Sequence, residues 1–404
     1  MVLFSLIMLL VGFQLSGDSL SHEKEKINES LISEHVTYFD IHDLRFENAE
    51  PLTQVLDSAH FVALGELHNR TRLGELTQAM LLYFEPLGYN SFALETGPYS
   101  ADKLKKLIQI GEQSVTGFYD SYSSNLFDIY PIPFFTGETD LGVLKTADSL
   151  EYDFWGIDQE FAFSYSYLID ELISLSGEKV TAKQVSLGEE LNSKLFWWNR
   201  RSVVFSSFNM NCLLKEDPDL NRYLNSFEKS SDAEIHRIIK AFRATLEIYC
   251  MAEQGKGSSR VRINYFKHNF DENYRSALKN KDEVKVFLKI GSFHAGRHKS
   301  PLGIYDIGNF IHNLADSLSQ QSVHIRYLNR FYKGEDMYGR EGWESSGNFI
   351  SFGRKDKWTL IDLRPLRSAI EDGRVEGSPF EEREIRNYDF IVVPPEDKFV
   401  STHY

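Results

Sequence analysis

Cysteine is nearly missing from this 404-residue chain, which holds only Cys212 and Cys250. Two cysteines exclude a disulfide-framed scaffold and a cysteine-rich metal centre. Both fall in helical patterns with no flanking signal for a bridge, so two free thiols are expected. Positive charge is also short: 44 Lys and Arg stand against 59 Asp and Glu, a net −15. No long Lys/Arg run offsets that balance, and such a surface repels polyanions. Nucleic acid is therefore excluded as a partner. Long apolar runs are confined to residues 1–17, MVLFSLIMLLVGFQLSG, too short to span a bilayer comfortably. We read residues 1–19 as an export signal and expect a periplasmic or extracellular protein with no membrane span after cleavage. No Cys follows the run to accept a lipid. G-x-G-x-x-G, the P-loop, G-x-S-x-G and H-E-x-x-H are all missing, which demotes dinucleotide enzymes, P-loop ATPases and ordinary serine hydrolases.

What the chain does hold is apolar and aromatic residues, at 42% and 14%, enough for a large folded core. Residues 20–50 read as a polar lead-in and 51–404 as one α/β domain. Short β-rich runs appear at Phe61–Glu66, Ser91–Glu95, Asp153–Asp158, Val284–Ile290, Val323–Leu328, Trp358–Leu363 and Tyr388–Val393. A helical stretch stopped by Pro86 and Gly88 lies between the first two, as in a parallel crossover unit. Residues 161–280 carry helical patterns with little strand signal. The fold class is thus α/β: a mixed, mostly parallel sheet flanked by helices, with a helical insertion or cap at about 161–280.

Ligands of open α/β sheets bind beyond the carboxyl ends of the strands, and four of these strand ends are polar. Gly65-Glu66-Leu67-His68 ends the first, Glu95 the second, Asp158 the third and Gly291-Ser292-Phe293-His294-Ala295-Gly296-Arg297 the fourth. Four such ends point to one polar crevice for a small-molecule substrate. Glu66 and His68, two apart, share one side if the chain stays extended. They form an acid–base pair, or ligate a divalent metal with Glu95 or His294, or lie in a solvated turn. Gly65 would let backbone approach a ligand. Thr71 is expected to cap a helix starting near Arg72, with Glu75 in its first turn. Arg72 either holds a substrate carboxylate or pairs with Glu75 or Glu95. A buried Glu95 needs a cation, a proton or a metal beside it. Asp158 raises the same need, or else caps a helix near Glu160. His294 is an acid–base candidate, with Arg297 placed to stabilise negative charge. Arg262 and Asn269, seven apart, share one helix face.

Taken in order, these blocks resemble the erythromycin esterase family, within a superfamily that also holds ChaN-like haem-binding and Tiki-type proteins. Gly65-Glu66 and His68, with Thr71 and Glu75, resemble its first block. Glu95 matches its second-strand Glu, Gly156-Ile157-Asp158 its Gly-Phe-Asp, and Arg262 with Asn269 its Arg/Asn helix. His294 matches its late histidine, and Leu360–Arg364 and Tyr388–Phe390 resemble its C-terminal blocks. The spacing here is Glu-x-His rather than Glu-x-x-His, closer to the ChaN-like proteins, and Asn69 replaces a Gly. The resemblance implies metal-free hydrolysis of an ester, lactone or amide. His68 would be the base, oriented by Glu66 or Glu95, and His294 a second acid–base group. Arg72, Glu75, Asp158, Arg262, Asn269 and Arg297 would bind substrate or the oxyanion. It also implies the alternatives of a metal-dependent hydrolase using Glu66, His68, Glu95 and His294, or a haem- or metal-binding protein.

Overall fold

The computed structural model describes residues 24–340 and 347–404. The expected export signal falls outside them. Nine strands form one sheet: β1 (Val36–His42), β2 (Arg45–Glu47), β3 (Phe61–Glu66), β4 (Tyr89–Leu94), β5 (Asp153–Gly156), β6 (Lys285–Gly291), β7 (Ser322–Tyr327), β8 (Trp358–Asp362) and β9 (Phe390–Val393). Their spatial order is β2-β1-β8-β9-β7-β3-β6-β4-β5. From β9 to β5 every pairing is parallel. β8, β1 and β2 add an antiparallel edge. The sheet is thus mixed and mostly parallel, and the seven expected strands all form, with ends shifted by up to two residues.

Strands β1 and β2 arise inside the segment read as a polar lead-in. They escape periodicity reading because they lie at the sheet edge, where only alternate residues such as Phe39 and Ile41 are buried. Central strands instead bury both faces: every residue of β3 is buried. One face packs the helices α1 (Thr71–Phe84), α2 (Pro98–Ile110) and α3 (Glu138–Ser149) through Leu73, Leu104 and Leu144. Between β5 and β6 the chain is helical, with α4 (Tyr165–Ser176), α5 (Ala182–Val204), α6 (Met210–Lys215), α7 (Ala233–Glu253) and α8 (Ser258–Ala277) as its main elements. The other face is covered by α8 and α9 (Ile307–Ser317), through Phe266, Phe270 and Ile311.

Two local expectations are corrected. Cys212 and Cys250 are joined by a disulfide with Cα atoms 4.5 Å apart. The sequence predicts free thiols because α6 and α7 meet only through tertiary packing, and neither flank encodes that contact. Thr71 does not cap its helix. Arg70 occupies the N-cap without a side-chain bond, and Asp397, from the far end of the chain, accepts the Arg72 N–H at 3.0 Å.

Candidate active site

Strands β3, β6, β4 and β5 are neighbours, so their carboxyl ends open on one crevice. A cavity of about 400 Å³ lies there, lined by Glu66, His68, Arg70, Glu95, Phe134, Arg262, Gly291 and His294 among others. Register fixes this convergence: Glu66 pairs opposite Gly291 across β3 and β6, and Leu94 opposite Lys289 across β4 and β6. His294 follows on a single helical turn, Ser292–Ala295. Gly65 does not face the cavity. A Cβ there would meet Ala295 and Ser292 at 3.0 and 3.1 Å, so glycine lets that turn settle on the strand. Gly291 has the role once expected of Gly65. A side chain there would stand 3.1 Å from both Glu95 and His68.

Two imidazoles face the cavity, each backed by a carboxylate. His68 Nδ1 lies 3.1 Å from Glu66 Oε1 and its Nε2 lies 3.8 Å from Glu95 Oε2. His294 Nδ1 bonds Asp306 Oδ2 at 2.8 Å, and its Nε2 lies 3.9 Å from Glu95 Oε1. Glu95 therefore stands between the two Nε2 atoms. Its own position is held by the Gly291 N–H at 2.6 Å and by Arg262 at 2.9 Å. Arg262 also clamps Asp158 through Nε at 3.0 Å and through a second guanidinium nitrogen. Glu66, nearly inaccessible, is neutralised by Lys289 Nζ at 2.6 Å.

The charges explain the proton affinities. Glu66 faces Lys289, Glu95 and Asp158 face Arg262, and Asp306 faces His294. Burial works against a charged His68, but Glu66 and then Glu95 outweigh it and raise its pKa. Burial likewise opposes a charged His294, and Asp306 and Glu95 raise it. Burial would lift Glu66, yet Lys289 and His68 hold it down at about 2. Glu95 is lowered too: burial is overcome by His68, Arg262 and His294.

Phe134 lies flat on His68, with ring centroids 3.8 Å apart. Its φ of 65° is the left-handed region, costly for an aromatic residue. The strain is tolerated because Phe135 and Thr136, the next residues along, are tied by His403 through its side chain at 2.8 Å and its backbone N–H at 3.1 Å. Asn69, also left-handed at 58°, is among the few residue types that accept this conformation.

Five residues singled out by sequence do not line the cavity. Arg72 bonds Glu75 at 2.7 Å, one helical turn on, so both are spent on a local pair. Asn269 shares the Arg262 face, but its amide donates to the Ile157 carbonyl at 3.0 Å, tying α8 to the sheet. Arg297 pairs with buried Asp389. Asp158 acts through Arg262 and caps no helix. Sequence reading missed Lys289, Asp306, Arg70 and Phe134. Lys289 had a signal, a charge deep inside the run VKVFLKI, whereas Lys285 stands at its start. Asp306 had none, since its partner lies twelve residues away across a loop.

The fold is α/β, with its polar centre at the carboxyl ends of adjacent parallel strands. No family model matches the sequence, and no curated protein does. Solved structures share the fold. A Bacillus cereus protein matches with TM-score 0.56 and 15% identity over 94% of this chain and 100% of its own. A mutant erythromycin esterase in its open conformation gives 0.55 and 15%, over 90% and 99%. A succinoglycan biosynthesis protein gives 0.55 and 15%, over 92% and 96%. A haem-binding protein of Campylobacter jejuni reaches only 0.33, which carries no argument for haem here. At these identities the likeness is one of fold.

Proposed function

We propose that the protein is a hydrolase that adds water to an ester or lactone of a small or medium-sized molecule. The carrying observation is the pair of carboxylate-backed imidazoles whose Nε2 atoms face one cavity across Glu95. His68, with a third of its side chain exposed, is the base, and His294, at 11%, is the acid. Water attacks the carbonyl carbon and gives its proton to His68 Nε2. The alcohol leaves with the proton of His294 Nε2. Glu66 and Asp306 keep each ring oriented, and Arg262 supplies positive charge to the oxyanion. Phe134 shields the base from bulk water.

Glu66, His68 and Glu95 also offer three ligand atoms within 4.8 Å of one another. The donor set suits a divalent cation, but both carboxylates already carry a fixed cation, Lys289 or Arg262. A metal would compete with these ion pairs, which favours the metal-free reading. Export to an oxidising compartment is supported by the Cys212–Cys250 bridge and by the apolar residues 1–17.

Hydrolysis of ester, lactone and amide panels, with and without chelator, tests the reading. His68→Ala and His294→Ala are each expected to lower kcat/KM by roughly 10²–10⁴-fold with folding intact. Chelator should have no effect. Full activity in folded His68→Ala would sink the assignment, and loss with chelator would install the metal instead.

A further inference from the structure

One cation of the cavity wall is left over after the catalytic groups are paired. Lys289 is committed to Glu66 and Arg262 to Glu95 and Asp158. Arg70 lines the same cavity and pairs with no carboxylate within 4.0 Å among the described residues. Its guanidinium lies over the Tyr332 ring at 4.1 Å, and one nitrogen donates to the Tyr332 hydroxyl at 3.1 Å. Its Nε is buried without a hydrogen-bond partner, an arrangement that costs free energy unless a ligand completes it. The loop is braced from outside. Thr71 N–H donates to Lys398 at 3.0 Å and Val400 N–H to Asn69 at 3.2 Å. The guanidinium is therefore held in the wall of the cavity that both imidazoles line, with no carboxylate within 4.0 Å among the described residues. The same cavity is also lined by two rings, Phe134 and Phe293, the latter 51% exposed.

We propose that Arg70 is a substrate-binding residue for an anionic group, a carboxylate or phosphate carried by an ester with an apolar body. The planar guanidinium suits two-point recognition of such a group. The inference rests on the hydrolase reading for its substrate, but its anion site can be tested without turnover.

The test is equilibrium binding to the full chain by calorimetry, with non-hydrolysable probes. These are 4-phenylbutyrate and phenyl phosphate, against neutral 4-phenylbutanamide. Wild type should bind at least one anion tenfold or more tighter than the amide, and which anion binds separates carboxylate from phosphate. Arg70→Gln should lose that preference while binding the amide unchanged. Arg70→Lys, which keeps the charge without the planar fork, should retain part of it. Equal affinity of wild type for anions and amide overturns the proposal, whatever the variants do. So does undiminished anion preference in Arg70→Gln. If the protein hydrolyses no ester yet shows the Arg70-dependent preference, the hydrolase reading fails and the anion site stands. Where turnover is seen, Arg70→Gln should raise KM for anionic esters at least tenfold and leave kcat on neutral esters within twofold. A fall in kcat on both would show instead that Arg70 serves the oxyanion.

Discussion

His68 and His294 differ less in chemistry than in the carboxylate that each faces. Both are pushed above the usual imidazole value of 6.5. A raised folded-state pKa contributes stability below pH 6.5, which fades as pH rises through the folded value. In the proposed hydrolysis the same shift would place activity on the alkaline side. As the proposed base, His68 must be neutral, so kcat/KM should fall as pH drops through its raised pKa. As the proposed acid, His294 must be protonated, so activity should fall again at higher pH. Asp306→Asn removes the hydrogen-bonded charge that favours protonated His294. Its pKa should drop, and the alkaline limb of the kcat/KM profile should move to lower pH with the acidic limb in place. An unmoved alkaline limb would mean that His294 is not the acid.

Among the connecting elements, the loop before α3 carries the clearest trade of stability for geometry. Phe134 adopts a left-handed backbone and thereby lays its ring on His68. Glycine accepts that backbone and alanine does not, so the two truncations separate strain from ring. Phe134→Gly should be more stable than Phe134→Ala by about 1 kcal/mol, measured by urea unfolding. Both should lose activity, since neither covers the imidazole. Equal stability of the two would show that the loop relaxes once the ring is gone. The C-terminal residues set this geometry as much as the loop does. They bond Thr71, Asn69, Glu138 and Thr136 in turn, clasping both cavity loops from outside. No local pattern in the sequence announces that role, because each bond joins residues far apart in the chain.

Across the whole molecule, the sheet and the helical region are stabilised by different means. The sheet has large apolar layers on both faces. The helical region adds the Cys212–Cys250 bridge, closing a loop of 38 residues. Loop-closure entropy for that length is worth about 4 kcal/mol, and less where strain or residual structure intervenes. Replacing both cysteines with serine should lower the urea midpoint accordingly, while kcat/KM stays within about twofold because neither cysteine lines the cavity. A loss of activity at full stability would show that the bridge positions the site.

The sequence by itself determined the sheet's central strands, because residues buried on both faces are mostly apolar, as in FVAL of FVALGE and VFL of VKVFLKI. It also determined that ionisable residues end those strands: Glu66, His68, Glu95, Asp158 and His294 interrupt apolar runs where solvent or a ligand must meet them. Local pattern is enough for both, since burial and strand alternation act on neighbouring residues. The partners were decided only by tertiary structure. Arg72 and Arg262 look equally available in the sequence. One spends its charge on Glu75 a turn away, while the other crosses the crevice to Glu95 and Asp158. Asp306 behind His294, Lys289 under Glu66 and the bridge between Cys212 and Cys250 all depend on which elements the strand order brings side by side. Coulombic and covalent pairing act through space, and strand order β7-β3-β6-β4-β5 is set by the packing of the whole chain.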